Sequence, residues 1–331
     1  MNVAIIGCGL IGRKRALALP KGDKLVACYD IDPVIAKKFA SDFSCIPFPI
    51  DDCVLGNIRC DIMIVAVVNK FAKDIVLQSL QSGRHVLAEK PLGRNAAEAL
   101  EMVNKARKKE VILKTGFNHR FHPAIWKAKE LVDSKKIGTI LNIRARYGHG
   151  GRPGMEKEWR ASKDLCGGGE LLDQGVHIID LIRWFGGDIN EVYGSVDTKF
   201  WQMEVEDNTF AILKTKNNVT ASFNVSWTNW KNIFSFEIFG VDGYLRIEGL
   251  GGSYGPETLE LGIRNPEGGK PDVTTFEFDA EDISWKNEWK EFKSAIKEKR
   301  EPIGSGNDGL RANEVIAAIY ESSQSKKAII I

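Results

Sequence analysis

The feature of this sequence that most constrains its fold is an alternation of short apolar runs with helical patterns over the first 120 residues. The run 61–68 (DIMIVAVV) is apolar after its first residue, as expected for a parallel strand that is covered on both faces. Strands that alternate with helices predict an α/β fold with a doubly wound parallel sheet. We predict its strands at 2–6, 24–29, 61–68, 85–88 and 111–117.

The pattern changes after about residue 120. Between 219 and 227, apolar residues alternate with polar ones, which predicts an antiparallel strand with one buried face. The segment Gly-Val-Asp-Gly at 240–243 carries the Asp-Gly signal of a hairpin turn. We predict a first domain over 1–119 and an α+β domain over 120–331. The second domain is built on a large, open, mostly antiparallel sheet, and its last helix is able to pack back on the first domain.

Composition excludes several classes of protein. The 46 Lys and Arg residues nearly balance the 44 Asp and Glu residues, for a net charge of +2, which does not suit a dedicated nucleic-acid binder. No stretch approaches the roughly 20 apolar residues of a membrane span, and the N-terminal run lacks the basic flank of a signal peptide. We therefore expect a cytoplasmic protein without nucleic-acid or membrane partners. Because no two cysteines show the Cys-x-x-Cys spacing, no metal site is predicted.

The first strand runs directly into a Gly-x-Gly-x-x-Gly sequence at the start of a helix. In this position the glycines permit a tight turn, a close approach of backbone to a pyrophosphate, and close helix–strand packing. The helix N-terminus offers free N–H groups to the phosphates. We predict a dinucleotide-binding domain of the Rossmann type, with a loop formed by Gly7, Gly9, Leu10, Ile11 and Gly12.

Asp30 follows the second strand, where a carboxylate can accept hydrogen bonds from the adenosine ribose hydroxyls. Because its charge would repel the extra phosphate of NADP, we favour NAD as the cofactor. The basic run Arg13, Lys14 and Arg15 favours NADP instead, because cations in a first helical turn oppose the helix dipole and suit a compensating anionic ligand. NADP is therefore the alternative cofactor. A solvated basic face explains the same run equally well. Arg13 and Glu89 complete the predicted cofactor contacts.

Two segments are candidates for the reaction centre. Lys90 follows the strand at 85–88, and the carboxyl ends of such strands face the crevice where ligands bind. Asp173, His177 and Asp180 share one face of a predicted helix over 171–185. A histidine that is supported by a carboxylate is a common general base. The other interpretations are a surface lysine and a hydrogen-bonded core histidine.

The loop before this helix holds candidate substrate contacts. An aromatic face suits a sugar ring, and guanidinium groups suit a carboxylate or a phosphate. His149, Trp159 and Arg160 therefore favour an anionic or nucleotide-linked sugar, although a purely structural loop is as consistent with the sequence.

Four segments together resemble the Gfo/Idh/MocA oxidoreductase family: GCGLIG at 7–12, AEKP at 88–91, GFNHRFHPA at 116–124 and GGGELLDQGVHIIDLIRWF at 167–185. The resemblance implies a Rossmann domain followed by an α/β domain whose open sheet forms a homodimer or homotetramer interface. It also implies catalytic roles for Lys90, Asp173 and His177, and a substrate-side position for Arg120.

The leading hypothesis is an NAD(P)-dependent dehydrogenase that interconverts a secondary hydroxyl and a ketone on a sugar, a sugar derivative or a cyclic polyol. Two alternatives remain. Some relatives of this family use tightly held NAD in a redox cycle that hydrolyses glycosides or eliminates groups, with no net change of the cofactor. A non-catalytic NAD-binding regulator is the third hypothesis.

Overall fold

The computed structural model describes residues 1–48, 59–278 and 281–331, and the chain divides into two units. The first unit comprises Met1–Phe117, Asp164–Gly167 and Trp285–Asn313, and the second comprises Asn118–Lys163, Gly168–Ser284 and Glu314–Ile331. In the described part of the chain, no helix has both the length and the apolar character needed to cross a membrane.

The first unit contains a six-stranded parallel sheet with the order β3-β2-β1-β4-β5-β6. The order reverses between β1 and β4, and open α/β sheets bind ligands at such a switch point. The predicted parallel sheet is confirmed. Its strands are β1 (Asn2–Ile6), β2 (Lys24–Tyr29), β3 (Ile46–Pro47), β4 (Ile62–Val65), β5 (His85–Ala88) and β6 (Leu113–Thr115). Its helices are α1 (Leu10–Leu17), α2 (Pro33–Phe43), α3 (Asn69–Gln81) and α4 (Ala96–Lys109).

Local sequence explains where these helices begin. Asp32 caps α2 by accepting hydrogen bonds from the backbone N–H groups of Val34 and Ile35, and Pro33 occupies the first helical position. Asn95 caps α4 in the same way. Helix α1 is different, because its N-cap is Gly9, which has no side chain to satisfy the first N–H groups.

The segment Trp285–Asn313 belongs to the first unit, whereas the sequence suggested two contiguous domains that meet at 119/120. It contains most of α7 (Ser284–Glu298) and the start of α8 (Gly306–Ser325). Trp289 and Phe292 of α7 are buried in the same apolar cluster as β1 and β2 residues. This packing is the reason the late segment groups with the N-terminal sheet.

The second unit is built on a nine-stranded sheet with the order β14-β13-β12-β11-β7-β10-β9-β8-β15. All neighbouring strands are antiparallel except β7 and β10, which pair in parallel, so the predicted mostly antiparallel sheet is confirmed. The strands are β7 (Ile140–Gly148), β8 (Ile189–Asp197), β9 (Asn208–Thr215), β10 (Thr220–Ser226), β11 (Ile233–Gly240), β12 (Gly243–Glu248), β13 (Glu257–Ile263), β14 (Asp272–Phe278) and β15 (Ile329–Ile330).

One face of this sheet is buried and the other is open. In β10, Ala221, Phe223 and Val225 are buried, as the alternation predicted. The predicted turn at 240–243 joins β11 to β12, and Phe239 pairs with Tyr244 beside it. Single helical turns lie at Asn118–Phe121, Met155–Lys157, Trp159–Ala161, Lys163–Cys166 and Gly252–Tyr254, and the longer helices are α5 (Pro123–Asp133) and α6 (Val176–Gly186).

The predicted regular helix over 171–185 is wrong in its first turn. Residues Leu171–Gly175 form a π-helical turn, and the α-helix begins only at Val176. Because a π turn contains an additional residue, the simple i, i+4 relation between Asp173 and His177 does not hold. Such turns are frequent at functional sites.

Candidate active site

The glycine loop of the first unit has the geometry that its sequence predicted. Gly7 has a φ of +96°, and a Cβ there would collide with the backbone carbonyl of Ala66. A Cβ on Gly12 would collide with the Gly7 carbonyl, so α1 approaches β1 this closely only because residue 12 is glycine. A Cβ on Gly9 would meet no atom within 4 Å. The open space therefore lies at the glycine that the motif assigns to the pyrophosphate.

The start of α1 and Asp30 complete this loop. Gly9 precedes the exposed Leu10 and the half-buried Ile11, whose N–H groups lie in the first turn of α1. The Asp30 carboxylate accepts hydrogen bonds from the backbone N–H of Cys8 at 2.8 Å and of Asp32 at 3.0 Å. These two bonds fix the half-buried carboxylate beside the glycine turn. The loop, the free helix N-terminus and the oriented carboxylate together fit a dinucleotide.

The basic run in α1 has partners inside the first unit. Arg13, a predicted cofactor contact, pairs with Asp42 at 2.7 Å on α2. Arg15 is 2% exposed and forms ion pairs with Glu89 and Glu288. Arg15 therefore has a structural role, and it does not support the interpretation that this run binds the extra phosphate of NADP.

Glu89 and Lys90 follow β5 and belong to the first unit. The Glu89 carboxylate, a predicted cofactor contact, accepts a 2.6 Å hydrogen bond from Arg15 Nε. Burial raises the pKa of Glu89, and the adjacent Arg15 opposes that shift. Lys90 is half-buried and is joined to Pro91 by a cis peptide bond. The ion pair with Arg15 thus fixes the residue that precedes the candidate lysine.

In the second unit, Glu206 anchors the segment that carries Asp173 and His177. Its buried carboxylate accepts hydrogen bonds from the N–H groups of Gly169 and Leu171, both at 3.0 Å. The Tyr320 hydroxyl donates a third bond of 2.8 Å. The pKa of Glu206 is raised, because the effect of burial exceeds the opposite effect of these hydrogen bonds. A carboxylate at the start of a helix satisfies its first N–H groups and opposes the positive end of its dipole.

Asp173 lies in the π turn and is the more accessible of the two candidate groups. Its side chain is 25% exposed, and Arg160 Nε lies 3.6 Å from its Oδ2 atom. Burial lowers the pKa of His149, and the Asp173 charge partly offsets this effect. The charges of Asp173 and Arg160 therefore act on the same imidazole.

His177 lies in the first turn of α6 and is 3% exposed. Its ring stacks on that of His119, with 3.7 Å between ring centroids and 17° between ring planes. His119 lies in the single turn Asn118–Phe121 and is also buried. His119 was not among the predicted site residues, although it belongs to the segment 116–124 that carries the family resemblance.

Arg120, the predicted substrate-side arginine, forms a bidentate ion pair with Asp180. Its Nε and Nη2 atoms lie 2.7 and 2.5 Å from the two carboxylate oxygens, and both side chains are buried. Its guanidinium also lies over the Trp184 ring. The structure thus places Arg120 in an ion pair within the second unit. Asp180, which was predicted on the polar face with His177, is the partner in that pair.

The predicted substrate loop is held by its own ion pairs. Arg152 donates two hydrogen bonds, of 2.9 and 2.7 Å, to the Glu158 carboxylate. The Arg160 guanidinium lies over the Trp159 ring at 4.4 Å, and His149 Nδ1 accepts the N–H of Gly151. His149, Trp159 and Arg160 remain predicted substrate contacts.

Two family models match the chain. The oxidoreductase family model with the NAD-binding Rossmann fold matches residues 1–117, and the GFO/IDH/MocA C-terminal domain model matches residues 125–246.

Curated relatives and solved structures agree with these matches. Levoglucosan dehydrogenase of Pseudarthrobacter phenanthrenivorans is 25% identical over 286 residues, which cover 73% of this chain and 72% of that protein. Glucose-6-phosphate 3-dehydrogenase of Bacillus subtilis is 27% identical over an alignment that covers 100% of this chain and 98% of that protein. A solved levoglucosan dehydrogenase in complex with NADH superposes with a TM-score of 0.91 at 20% identity, covering 100% of this chain and 99% of that one, which shows that the fold is shared.

The glycine geometry predicts different results for two alanine variants. Gly12→Ala should displace α1 from β1, and so lower both the melting temperature and the affinity for NADH. Gly9→Ala should keep the wild-type melting temperature but weaken NADH binding at least tenfold, about 1.4 kcal/mol, because the methyl group occupies the phosphate space. Thermal denaturation and NADH fluorescence titration measure the two effects.

Gly22→Ala is the matched control, because Gly22 lies in the same unit outside the loop and a Cβ there also meets no atom within 4 Å. A Gly9→Ala variant that binds NADH as tightly as this control would contradict the assignment of the loop.

Proposed function

The chain belongs to the GFO/IDH/MocA oxidoreductase family, as its sequence motifs suggested, and we propose that it transfers hydride between NAD and a secondary hydroxyl or ketone of a sugar, sugar derivative or cyclic polyol. The observation that carries this proposal is the loop of Gly7, Gly9 and Gly12, which lies beside Asp30. Of these three glycines, only Gly9 has free space next to its Cα atom. The matched relatives that act on levoglucosan and on glucose 6-phosphate support a sugar-type substrate.

The first unit would hold the cofactor. The N–H groups at the start of α1 would donate to the pyrophosphate, and the Asp30 carboxylate would accept from the ribose hydroxyls. Bound NAD supplies the hydride acceptor for an alcohol and, in its reduced form, the donor for a ketone. We propose that Lys90 donates a hydrogen bond to the substrate oxygen, which orients it and favours the developing carbonyl dipole.

The second unit would supply the base. We propose that one ring nitrogen of His177 takes the hydroxyl proton during oxidation and returns it during reduction. Asp173 would bind a neighbouring substrate hydroxyl, because its side chain is the more exposed of the two. Arg160 Nε lies 3.6 Å from this carboxylate, whose oxygens can accept a hydrogen bond from a substrate hydroxyl. An anionic sugar would pair with Arg160 and stack on Trp159.

Substituting Lys90 or His177 tests these roles. Lys90→Ala and His177→Ala should each lower kcat by about 10²- to 10⁴-fold, because each variant loses a group that acts on the reacting oxygen. The Kd for NADH should change less than threefold. Stopped-flow and steady-state assays over hexoses, anhydro sugars, sugar phosphates and cyclic polyols measure these effects.

Lys108→Ala, which removes an exposed lysine of α4, is the control for loss of a positive charge in the same unit. Wild-type turnover in both active-site variants would refute the proposed roles. Substrate loss without net NADH formation would indicate the redox-cycling class instead of a dehydrogenase.

We further propose that the enzyme prefers NAD over NADP because of Asp30. The kcat/KM for NAD should exceed that for NADP by about 100-fold, and Asp30→Asn should reduce this ratio at least tenfold, because it removes the negative charge and keeps the oxygen that accepts hydrogen bonds. Asp32→Asn is the control, because asparagine is as good an N-cap as aspartate. A wild-type preference for NADP would overturn this proposal.

We propose that the chain forms a homo-oligomer through the open face of the nine-stranded sheet. Tyr193 of β8 pairs with Ile212 of β9, and Phe210 is the next residue on the same face of β9. These three side chains are 47%, 54% and 60% exposed and form one apolar patch, which is typical of an interface. A second copy of the same patch would cover it around a two-fold axis.

Ile212→Asp should shift the wild-type oligomer toward monomer, because two like charges would be buried near the axis. Size-exclusion chromatography with light scattering measures the mass. Leu100→Asp on α4 is the control, because Leu100 is also exposed, at 46%, but lies in the other unit. A monomeric wild-type chain, or a variant with unchanged mass, would contradict the proposed interface.

A further inference from the structure

We propose that His119 is a positioning residue for His177: it presents a neutral ring face against the catalytic imidazole and fixes its orientation. This inference rests on the proposed function, because it assumes that His177 exchanges a proton with the substrate. The observation that carries it is the stack of the two rings, 3.7 Å apart and inclined by 17°. Both histidines are less than 10% exposed, so the stack is held inside the protein.

One side of the His119 ring is fixed by a polarised chain of hydrogen bonds. The Ser284 hydroxyl donates its proton to the exposed Asp282 carboxylate at 2.5 Å. The Ser284 oxygen is therefore the acceptor of the 3.1 Å hydrogen bond from Asn118 Nδ2. This orientation turns Asn118 Oδ1 toward His119 Nδ1, 3.2 Å away. A carbonyl oxygen can only accept, and therefore His119 Nδ1 carries a proton.

The other ring nitrogen, His119 Nε2, lies 3.0 Å from the Tyr147 hydroxyl. Burial raises the pKa of Tyr147 well above its ordinary value, so the phenol keeps its proton and can donate it to Nε2. Tyr254, whose ring lies against that of Tyr147, accepts a 3.0 Å bond from Gln174 Nε2. With the Tyr147 hydroxyl as the donor, Nε2 is an acceptor, and His119 is the neutral Nδ1–H tautomer.

The neutral state of His119 matters for the charge on His177. When His177 takes the substrate proton it becomes a cation, and a neutral aromatic face stabilises a stacked cation. A protonated His119 at the same distance would repel it. The hydrogen bonds from Tyr147 and to Asn118 thus favour the form of His119 that supports His177 in both of its protonation states. The stack also limits rotation of the His177 ring.

Two substitutions at His119 separate this role from a merely structural one. His119→Ala removes the ring face and should lower kcat about 10- to 100-fold with less than threefold change in KM, because the base loses its orientation. His119→Phe keeps a neutral ring and should restore kcat to within about fivefold of wild type. Both assays use saturating NAD and substrate, with the concentration of folded enzyme taken from NADH titration.

His122→Phe is the matched control. His122 is buried next to the same turn and bonds the Glu257 carboxylate at 3.1 Å, but its ring meets the edge of His119. This variant should lower the melting temperature and leave kcat per folded enzyme within about twofold of wild type. Wild-type kcat in His119→Ala, or a His119→Phe variant no better than His119→Ala, would overturn the inference. Wild-type turnover in His177→Ala would instead refute the proposed function on which it rests.

A measurement on the unmodified enzyme tests the tautomer even where a variant does not fold. Long-range ¹H–¹⁵N spectra distinguish the two neutral imidazole tautomers of the five histidines. At least two should carry the proton on Nδ1, namely His119 and His122, whose Nδ1 atoms face side-chain oxygens. His85 and His149 should carry it on Nε2, because their Nδ1 atoms accept backbone N–H bonds. Fewer than two Nδ1–H histidines would overturn the proposed hydrogen-bond polarity.

Discussion

The buried guanidinium of Arg15 is the interaction on which the first unit depends. It joins three segments that are distant in sequence: α1, the residues after β5 through Glu89, and α7 through Glu288. The ring of Trp285 lies over the guanidinium at 4.4 Å. Loss of one member of a buried ion pair costs about 3–5 kcal/mol, because the other charge is left without compensation. The cluster therefore fixes the helix of the nucleotide loop and the segment that leads into Lys90 relative to one another.

In the second unit, the start of the helix with Asp173 and His177 depends on a carboxylate from elsewhere in the chain. The sequence there is Gly167-Gly168-Gly169-Glu170, which offers no Ser, Thr, Asp or Asn as an N-cap. Glu206 replaces that cap, and a Cβ on Gly169 would collide with the Glu206 carbonyl. The glycines thus permit a close approach that brings in the missing acceptor. The π turn that follows, Leu171–Gly175, contains Asp173.

The sequence predicted those features that depend on neighbouring residues. Strands β1, β2 and β5 were predicted with the bounds that the structure shows, because apolar runs are local signals. Gly7 and Gly12 were also assigned correctly to the turn and to the packing of α1. Features that depend on distant partners were missed. No local pattern indicates that Arg120 pairs with Asp180 or that Arg15 meets Glu288. The late segment Trp285–Asn313, which groups with the first unit, was anticipated only for the last helix.

The buried arginines show why an arginine near a site motif is a weak sign of a ligand contact. An arginine beside a catalytic motif suggests a ligand contact, but a buried guanidinium must first be neutralised, and a carboxylate within the fold does so at less cost than a ligand that comes and goes. Arg15 and Arg120 are both buried and both paired in this way, whereas Arg160 is about one-third exposed and lies 3.6 Å from Asp173 and 3.7 Å from Glu158. A charge that is to be used on a substrate has to stay accessible. By this criterion Arg160, rather than Arg120, is the guanidinium of the second unit that is best suited to bind a substrate.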